Sequence, residues 1–250
     1  MRHLDLFSGI GGFALAAQRV WGSEHEIVAF CEIDKFCQKV LKKHWPDAEI
    51  IDDVQSENIK QFRNIDLLTA GVPCQPASVS GKQCGTFDAR WLWPETIEII
   101  GAVRPKYAIL ENVSGLLSLE QGVAFNGILS GLAKIGYDCW WESLPACAVG
   151  APHIRTRIWL IAYAHSDRLQ GFERSVLATP NQEWQRFSPT SNSRWPKEND
   201  YTTSRILGMD DGLPVRLYKY RDKALGNAIV PQCVVPILQA IKNLETKASL

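Results

Sequence analysis

Through the first 160 residues, short apolar runs alternate with stretches whose apolar positions recur at helical spacing. The runs HLDLF (3–7), IVAFCEID (27–34), AEIIDDV (48–54), IDLLTAGV (65–72) and YAILENV (107–113) read as strands. Helices are predicted over FALAAQRVW (13–21), KFCQKVLKKHW (35–45), PETIEIIGAV (94–103) and FNGILSGLAKIG (125–136). Two further strands, YDCWWESL (137–144) and RIWLIAYA (157–164), lie close enough in the chain to pair antiparallel. Strands alternating with helices predict an α/β fold, a doubly wound, mostly parallel, Rossmann-like sheet.

The period is lost after Ala164. Residues 165–222 are rich in Ser, Asn, Asp, Pro, Arg and Trp, which predicts a small irregular subdomain or a long functional loop. The segment PQCVVPILQAIKNL (231–244) reads as helical again. Three units are therefore expected: a main domain over 1–164, an irregular region over 165–222, and a closing segment over 223–250.

Charge sharpens this division. The formal net charge is +0, but residues 1–152 carry a net −5 and residues 153–223 a net +4. The basic excess sits where a polyanion could dock, although a solvated face would give the same modest excess. The seven cysteines form no CxxC, and no leader segment is read ahead of them. No apolar run approaches the ~18 residues of a membrane span. A reduced, cytoplasmic setting is expected. The Cys and His spacings match no zinc site, and no metal is expected.

The strand ends carry the candidate chemistry. DLFSGIGGF (5–13) closes one strand and opens a helix. Its glycines would let a ligand approach the backbone, where a helix N-terminus offers free N–H groups. The spaced GxGxxG of dinucleotide binders is absent, which argues against a nicotinamide oxidoreductase. The compact turn suits a nucleoside with an amino-acid tail. Glu32 ends the second strand, where an acidic residue holds ribose hydroxyls; Asp34 could serve instead or cap the next helix. Asp53, ending the third, could accept from an adenine amino group. In GVPCQPAS (71–78), Cys74 stands between Pro73 and Pro76, which stiffen the backbone around it; a packing cysteine needs no such setting. Glu111 ends the fifth strand. Ligands bind at the carboxyl ends of parallel strands, so Cys74 and Glu111 should face one crevice. A thiol and a carboxyl converging on one point suggest covalent catalysis with proton transfer.

In this order, DLFSGIGGF, GVPCQPAS, GTFDARWLW, ENV, IRTRIWLIA and ALGNAIVPQ resemble the motifs of DNA cytosine-5 methyltransferases of bacterial and phage type. The resemblance spans about residues 3–164 and 223–244. It implies S-adenosylmethionine as cofactor, held by Phe7, Ser8, Gly9, Gly11, Gly12, Glu32, Ile33, Asp53, Val54, Pro73, Asn227 and Ala228. It implies Cys74 as nucleophile, Glu111 as the acid that engages the target base, and Arg155 and Arg157 as the arginine pair around a flipped cytosine. The implied partner is double-stranded DNA, bound by a monomer. Gln75, Ser78 and Arg90 in the loop after Cys74, with Arg186 and Arg194 in the basic stretch, are the expected DNA contacts. The 165–222 region is then the target reader.

Three departures stand out. His153 replaces the Gln that usually precedes the arginine pair, the reading region is short, and RLQGF (168–172) falls directly after the last strand. Two other classes share the framework: an RNA cytosine methyltransferase, and a catalytically silent protein that binds S-adenosylmethionine or DNA. The PCQP context and the intact Cys74 and Glu111 favour the active DNA enzyme.

Overall fold

The computed structural model describes residues 1–73, 91–151, 153–164 and 223–248. Seven strands, β1 (Arg2–Leu6), β2 (Glu26–Cys31), β3 (Glu49–Ile51), β4 (Leu67–Gly71), β5 (Tyr107–Val113), β6 (Tyr137–Pro145) and β7 (Thr156–Ala164), form one sheet in the order β3-β2-β1-β4-β5-β7-β6. Its helices of ten or more residues among those described are α1 (Gly12–Trp21), α2 (Lys35–His44), α3 (Trp93–Val103), α4 (Val123–Lys134) and α5 (Pro231–Ala248).

Local chemistry explains several boundaries. The Asp34 side chain accepts from the backbone N–H groups of Phe36 and Cys37, so it caps α2. Lys42, Lys43 and His44 fill the last turn of α2, where cations oppose the helix dipole. Pro94, at the start of α3, costs that helix no hydrogen bond.

The alternation along β1 sends Leu4 and Leu6 to one face of the sheet. There they meet Leu68, Leu110, α3 and α4. Leu67, Ile109 and Trp159 pack on the other face against α1 and α5. The doubly wound arrangement expected from the sequence is thus present.

Strand β1 pairs in parallel with β2 on one side and β4 on the other. The chain reverses its direction of travel across the sheet here, which opens a crevice at the carboxyl ends of the strands. The two late strands pair antiparallel as the sequence predicted. Strand β7 also inserts between β6 and β5 and runs antiparallel to both. Its first residues therefore lie at the end of the sheet where β5 finishes, with Arg157 in register with Val113.

The closing segment returns to the main domain. Val234, Leu238 and Ile241 of α5 are fully buried, and α5 lies along α1. The helical stretch Lys223–Thr246 is long and apolar enough by composition to cross a membrane, which the run-length reading of the sequence did not anticipate. Its buried apolar positions belong to the core beneath α1.

Candidate active site

A cavity of about 1140 Å³ opens at the carboxyl ends of β1, β2, β4 and β5 and the first residues of β7. One half is walled by Phe7, Gly9, Glu32, Ile33, Asp53 and Val54, the other by Pro73, Glu111, Arg155 and Arg157. Gly226 and Asn227 of the closing segment line it as well.

The glycine turn divides its residues between cavity and scaffold. Phe7 adopts a φ of 51°, which a non-glycine holds only under constraint. Part of that constraint comes from Ser8, whose N–H donates to Cys31 O at 3.1 Å. The Ser8 hydroxyl donates to Asp5 O at 2.7 Å and to Cys31 O at 3.3 Å, so it ties β1 and β2 together instead of lining the cavity. Gly9 lies on the wall, and a Cβ there would meet nothing within 4 Å. Gly11 and Gly12 turn away. A Cβ on Gly11, whose φ is 84°, would fall 2.5 Å from the Trp45 ring, and one on Gly12 would fall 2.6 Å from Ile229 Cγ1. Their smallness serves packing beneath the turn.

Glu32 is the anchor of this half. Its Oε2 accepts from Gly9 N at 2.7 Å and its Oε1 from Asp34 N at 2.7 Å. Each carboxylate oxygen can accept more than one hydrogen bond, so both keep capacity for a ligand hydroxyl. Asp34 also lies on the cavity wall, where its Oδ1 caps α2 and its Oδ2 meets Lys223 at 3.3 Å. Asp53 Oδ1 accepts from Gln55 N at 2.9 Å and shapes the turn after β3. Ile33 is 75% exposed, so it offers an uncovered apolar surface on the cavity wall. An apolar Phe7 and Ile33 beside two acceptor-bearing carboxylates suit a purine nucleoside.

The other half is organised by one ion pair. Arg157 Nε lies 2.9 Å from Glu111 Oε1. Burial pushes the Glu111 carboxyl up from the usual carboxylate range, while Arg157 and then Arg155 pull it down; burial prevails. The arginine pair divides its work. Arg155, on the same cavity wall, donates to the carbonyls of Gly226 at 2.8 Å and Ala228 at 2.9 Å. Ala228 thus meets Arg155 through its carbonyl and does not line the cavity. His153 is exposed and also lies off the cavity wall.

Asn112 was not singled out from the sequence. Its side chain donates to Val72 O at 3.1 Å and accepts from Val113 N at 2.9 Å. It therefore fixes the end of β5 against the chain that runs toward Pro73. A polar residue continuing the buried run YAIL was the available signal. Lys223, also unexpected, lines the rim and reaches Asp34 Oδ2 at 3.3 Å.

A buried polar chain runs beneath the glycine turn. Thr69 Oγ1 donates to Asp5 Oδ1 at 2.5 Å and lies 2.6 Å from His3 Nε2, and His3 Nδ1 lies 3.0 Å from His25 Nε2. Asp5 Oδ2 has no hydrogen-bond partner among the described residues. Burial pushes the Asp5 carboxyl up to about 8 despite the Thr69 hydrogen bond.

Cys74, Gln75, Ser78, Arg90, Arg186 and Arg194 lie outside the described residues, as does the whole 165–222 region. Pro73, the residue before Cys74, is on the cavity wall.

Residues 1–228 match the family described as C-5 cytosine-specific DNA methylase. Among curated proteins, the chain is 38% identical over 160 residues to the type II methyltransferase M.NgoMIV of Neisseria gonorrhoeae, covering 64% of this chain and 50% of that one. It is 34% identical over 175 residues to the type II methyltransferase M.HgiBI of Herpetosiphon aurantiacus, covering 68% of this chain and 39% of that one. The chain thus spans half or less of the length of these relatives. Among solved structures, the S. pombe Dnmt2 methyltransferase superposes with a TM-score of 0.56 at 19% identity, covering 81% of this chain and 58% of that one. That likeness establishes the fold.

Proposed function

The chain belongs to the C-5 cytosine-specific DNA methylase family, and from that premise we propose that it methylates C5 of a cytosine flipped out of duplex DNA, with S-adenosylmethionine as donor. The observation that carries the reading is the shared cavity. An acidic and apolar half built by Glu32, Asp53 and Phe7 adjoins a half that holds the Arg157–Glu111 ion pair.

The residues present fit the cofactor. Glu32 retains acceptor capacity for ribose hydroxyls, Asp53 for an adenine amino group, and Phe7 and Ile33 offer apolar surface to the purine. Bound there, S-adenosylmethionine supplies a methyl group activated by its sulfonium.

The chain's own residues prepare the cytosine. Ring carbon C5 is a poor nucleophile until aromaticity is broken. The Cys74 thiolate adds to C6, and the ring electrons displaced by that bond gather toward N3. Glu111, held toward its protonated form by burial, donates a proton at N3. C5 then has enamine character. After C5 is methylated, loss of the C5 proton to water, expulsion of the Cys74 thiolate and return of the N3 proton to Glu111 restore the aromatic ring. Arg157 donates to the base O2 while it orients Glu111. A base must leave the duplex to reach these groups, since C6 is shielded by stacking.

Labelled methyl transfer to unmethylated duplex DNA, compared with tRNA, tests the reading. Cys74→Ala is expected to lose transfer to DNA and keep cofactor binding, because the thiol acts only on the base. Transfer by this variant at a rate near that of the wild type would rule out the covalent route.

A further inference from the structure

Arg155 is committed to the protein backbone. Its two terminal nitrogens grip the carbonyls of Gly226 and Ala228 at 2.8 and 2.9 Å. A planar guanidinium can span two acceptors at once, whereas a lysine ammonium is a single point. Arg155 also holds a φ of 29°, which a non-glycine keeps only where its surroundings over-determine it.

The segment it grips is fastened at two other places. Lys223 pairs with Asp34 at 3.3 Å across the cofactor half of the cavity. Ile229 sits so close to the glycine turn that only a glycine fits at position 12. Lys223 is 65% exposed, and an exposed ion pair contributes little. The Arg155 fork is therefore the principal polar tie.

We propose that Arg155 is a positioning residue that locks the 223–229 strap to the chain just ahead of β7, two residues before Arg157, so that cofactor site and base pocket are energetically coupled. The strap contributes Gly226 and Asn227 to the cavity. Two residues along the chain from the fork, Arg157 meets Glu111. A cofactor that orders the strap thereby orders the entry into β7, the strand that presents Arg157, and a bound base does the reverse. Linkage requires the two effects to be equal. The inference rests on the reading of the cavity as a joint site for S-adenosylmethionine and a target cytosine.

The test is calorimetric binding of S-adenosylhomocysteine to the full chain, with and without sheared duplex DNA free of methylated cytosine. Wild type, Arg155→Ala and Arg155→Lys are compared. Without DNA, Arg155→Ala is expected to weaken binding roughly tenfold or more, since two charge-assisted hydrogen bonds are lost. DNA should tighten cofactor binding in wild type and fail to do so in Arg155→Ala.

A purely structural role would lower the melting temperature but leave the DNA-dependent gain in place, which would overturn the proposal. So would wild-type cofactor affinity in both Arg155 variants with the loss confined to KM for DNA, or absence of the gain in wild type. If Arg155→Ala does not fold, Arg155→Lys, which keeps the charge and can reach only one carbonyl, decides by the same readings. A wild type that binds the cofactor product yet methylates no DNA counts against the proposed reaction alone.

Discussion

Arg157 Nε stands 2.9 Å from Glu111 Oε1, across two strands that run in opposite directions. The pair exists because β7 lies antiparallel against β5, so that the beginning of one strand meets the end of the other. A buried carboxyl near a cation is pulled two ways, and here burial prevails and raises its pKa.

Replacement of Glu111 by Gln keeps the shape and an acceptor for Arg157 but removes the proton that the reaction needs. Loss of a general acid lowers turnover by about 10²- to 10⁴-fold. Cofactor affinity should be unchanged. Wild-type activity should fall as pH rises through the raised pKa of Glu111, and the residual activity of Glu111→Gln should lack that limb. An identical pH profile in the two proteins would place the acid elsewhere.

Glu32 gives a second prediction. Hydrogen bonds to a charged group contribute about 1.5–3 kcal/mol. Glu32→Ala should therefore weaken cofactor binding roughly 10- to 150-fold. Glu32→Gln retains an oxygen acceptor for Gly9 N or Asp34 N and should fall between. Calorimetry that finds Glu32→Ala equal to wild type would mean that the ribose is held by other groups.

Asp5 predicts how stability depends on pH. Burial raises its carboxyl from 3.8 to about 8 in the folded chain, so the folded state keeps a proton that the unfolded state releases. That stabilisation is complete below 3.8 and is lost as pH rises through about 8. The buried histidines act in the opposite sense. Burial, then the N-terminal ammonium, lowers His25 from 6.5 to about 4, and burial, then His25, also lowers His3. Their contribution is present above 6.5 and fades as pH falls toward about 4. Between 6.5 and about 8, Asp5 acts without them. The wild-type unfolding free energy should fall across that window by at most about 1.4 kcal/mol per pH unit for one proton, and the melting temperature should fall with it. Asp5→Asn should abolish the decline, and a mutant that declines in parallel with wild type would show that Asp5 is ionised in the fold.

Target choice is expected to reside in residues 165–222. The motivation is the change from a net −5 over 1–152 to a net +4 over 153–223, together with the Arg- and Trp-rich composition. Exchange of this stretch for that of a relative with another target should change which cytosine is methylated. Bisulfite sequencing of plasmid from cells expressing the hybrid reads the outcome. If the parent's motif persists, the loop after Cys74 is the reader.

The sequence by itself determined the order of strands and helices, because period and turn chemistry are local. It also pointed to strand ends, and the residues there line one cavity. Glu32, Asp53 and Glu111 were legible from their positions, since a parallel sheet gathers its carboxyl ends into one crevice. Contacts between distant segments were decided only by the tertiary structure. Asp34 had two open roles in the sequence; in the fold it caps α2 from the cavity wall and meets Lys223, which lies far along the chain. Gly11 and Gly12 look like ligand glycines in the chain, yet Trp45 and Ile229 are what demand their smallness. Arg155 and Arg157 read as one pair, but the antiparallel placement of β7 and the return of the closing segment send them to different partners. Spacing along a chain says which side chains are near in sequence. The partner each one meets depends on where the other elements pack, and that is set by burial over the whole sheet.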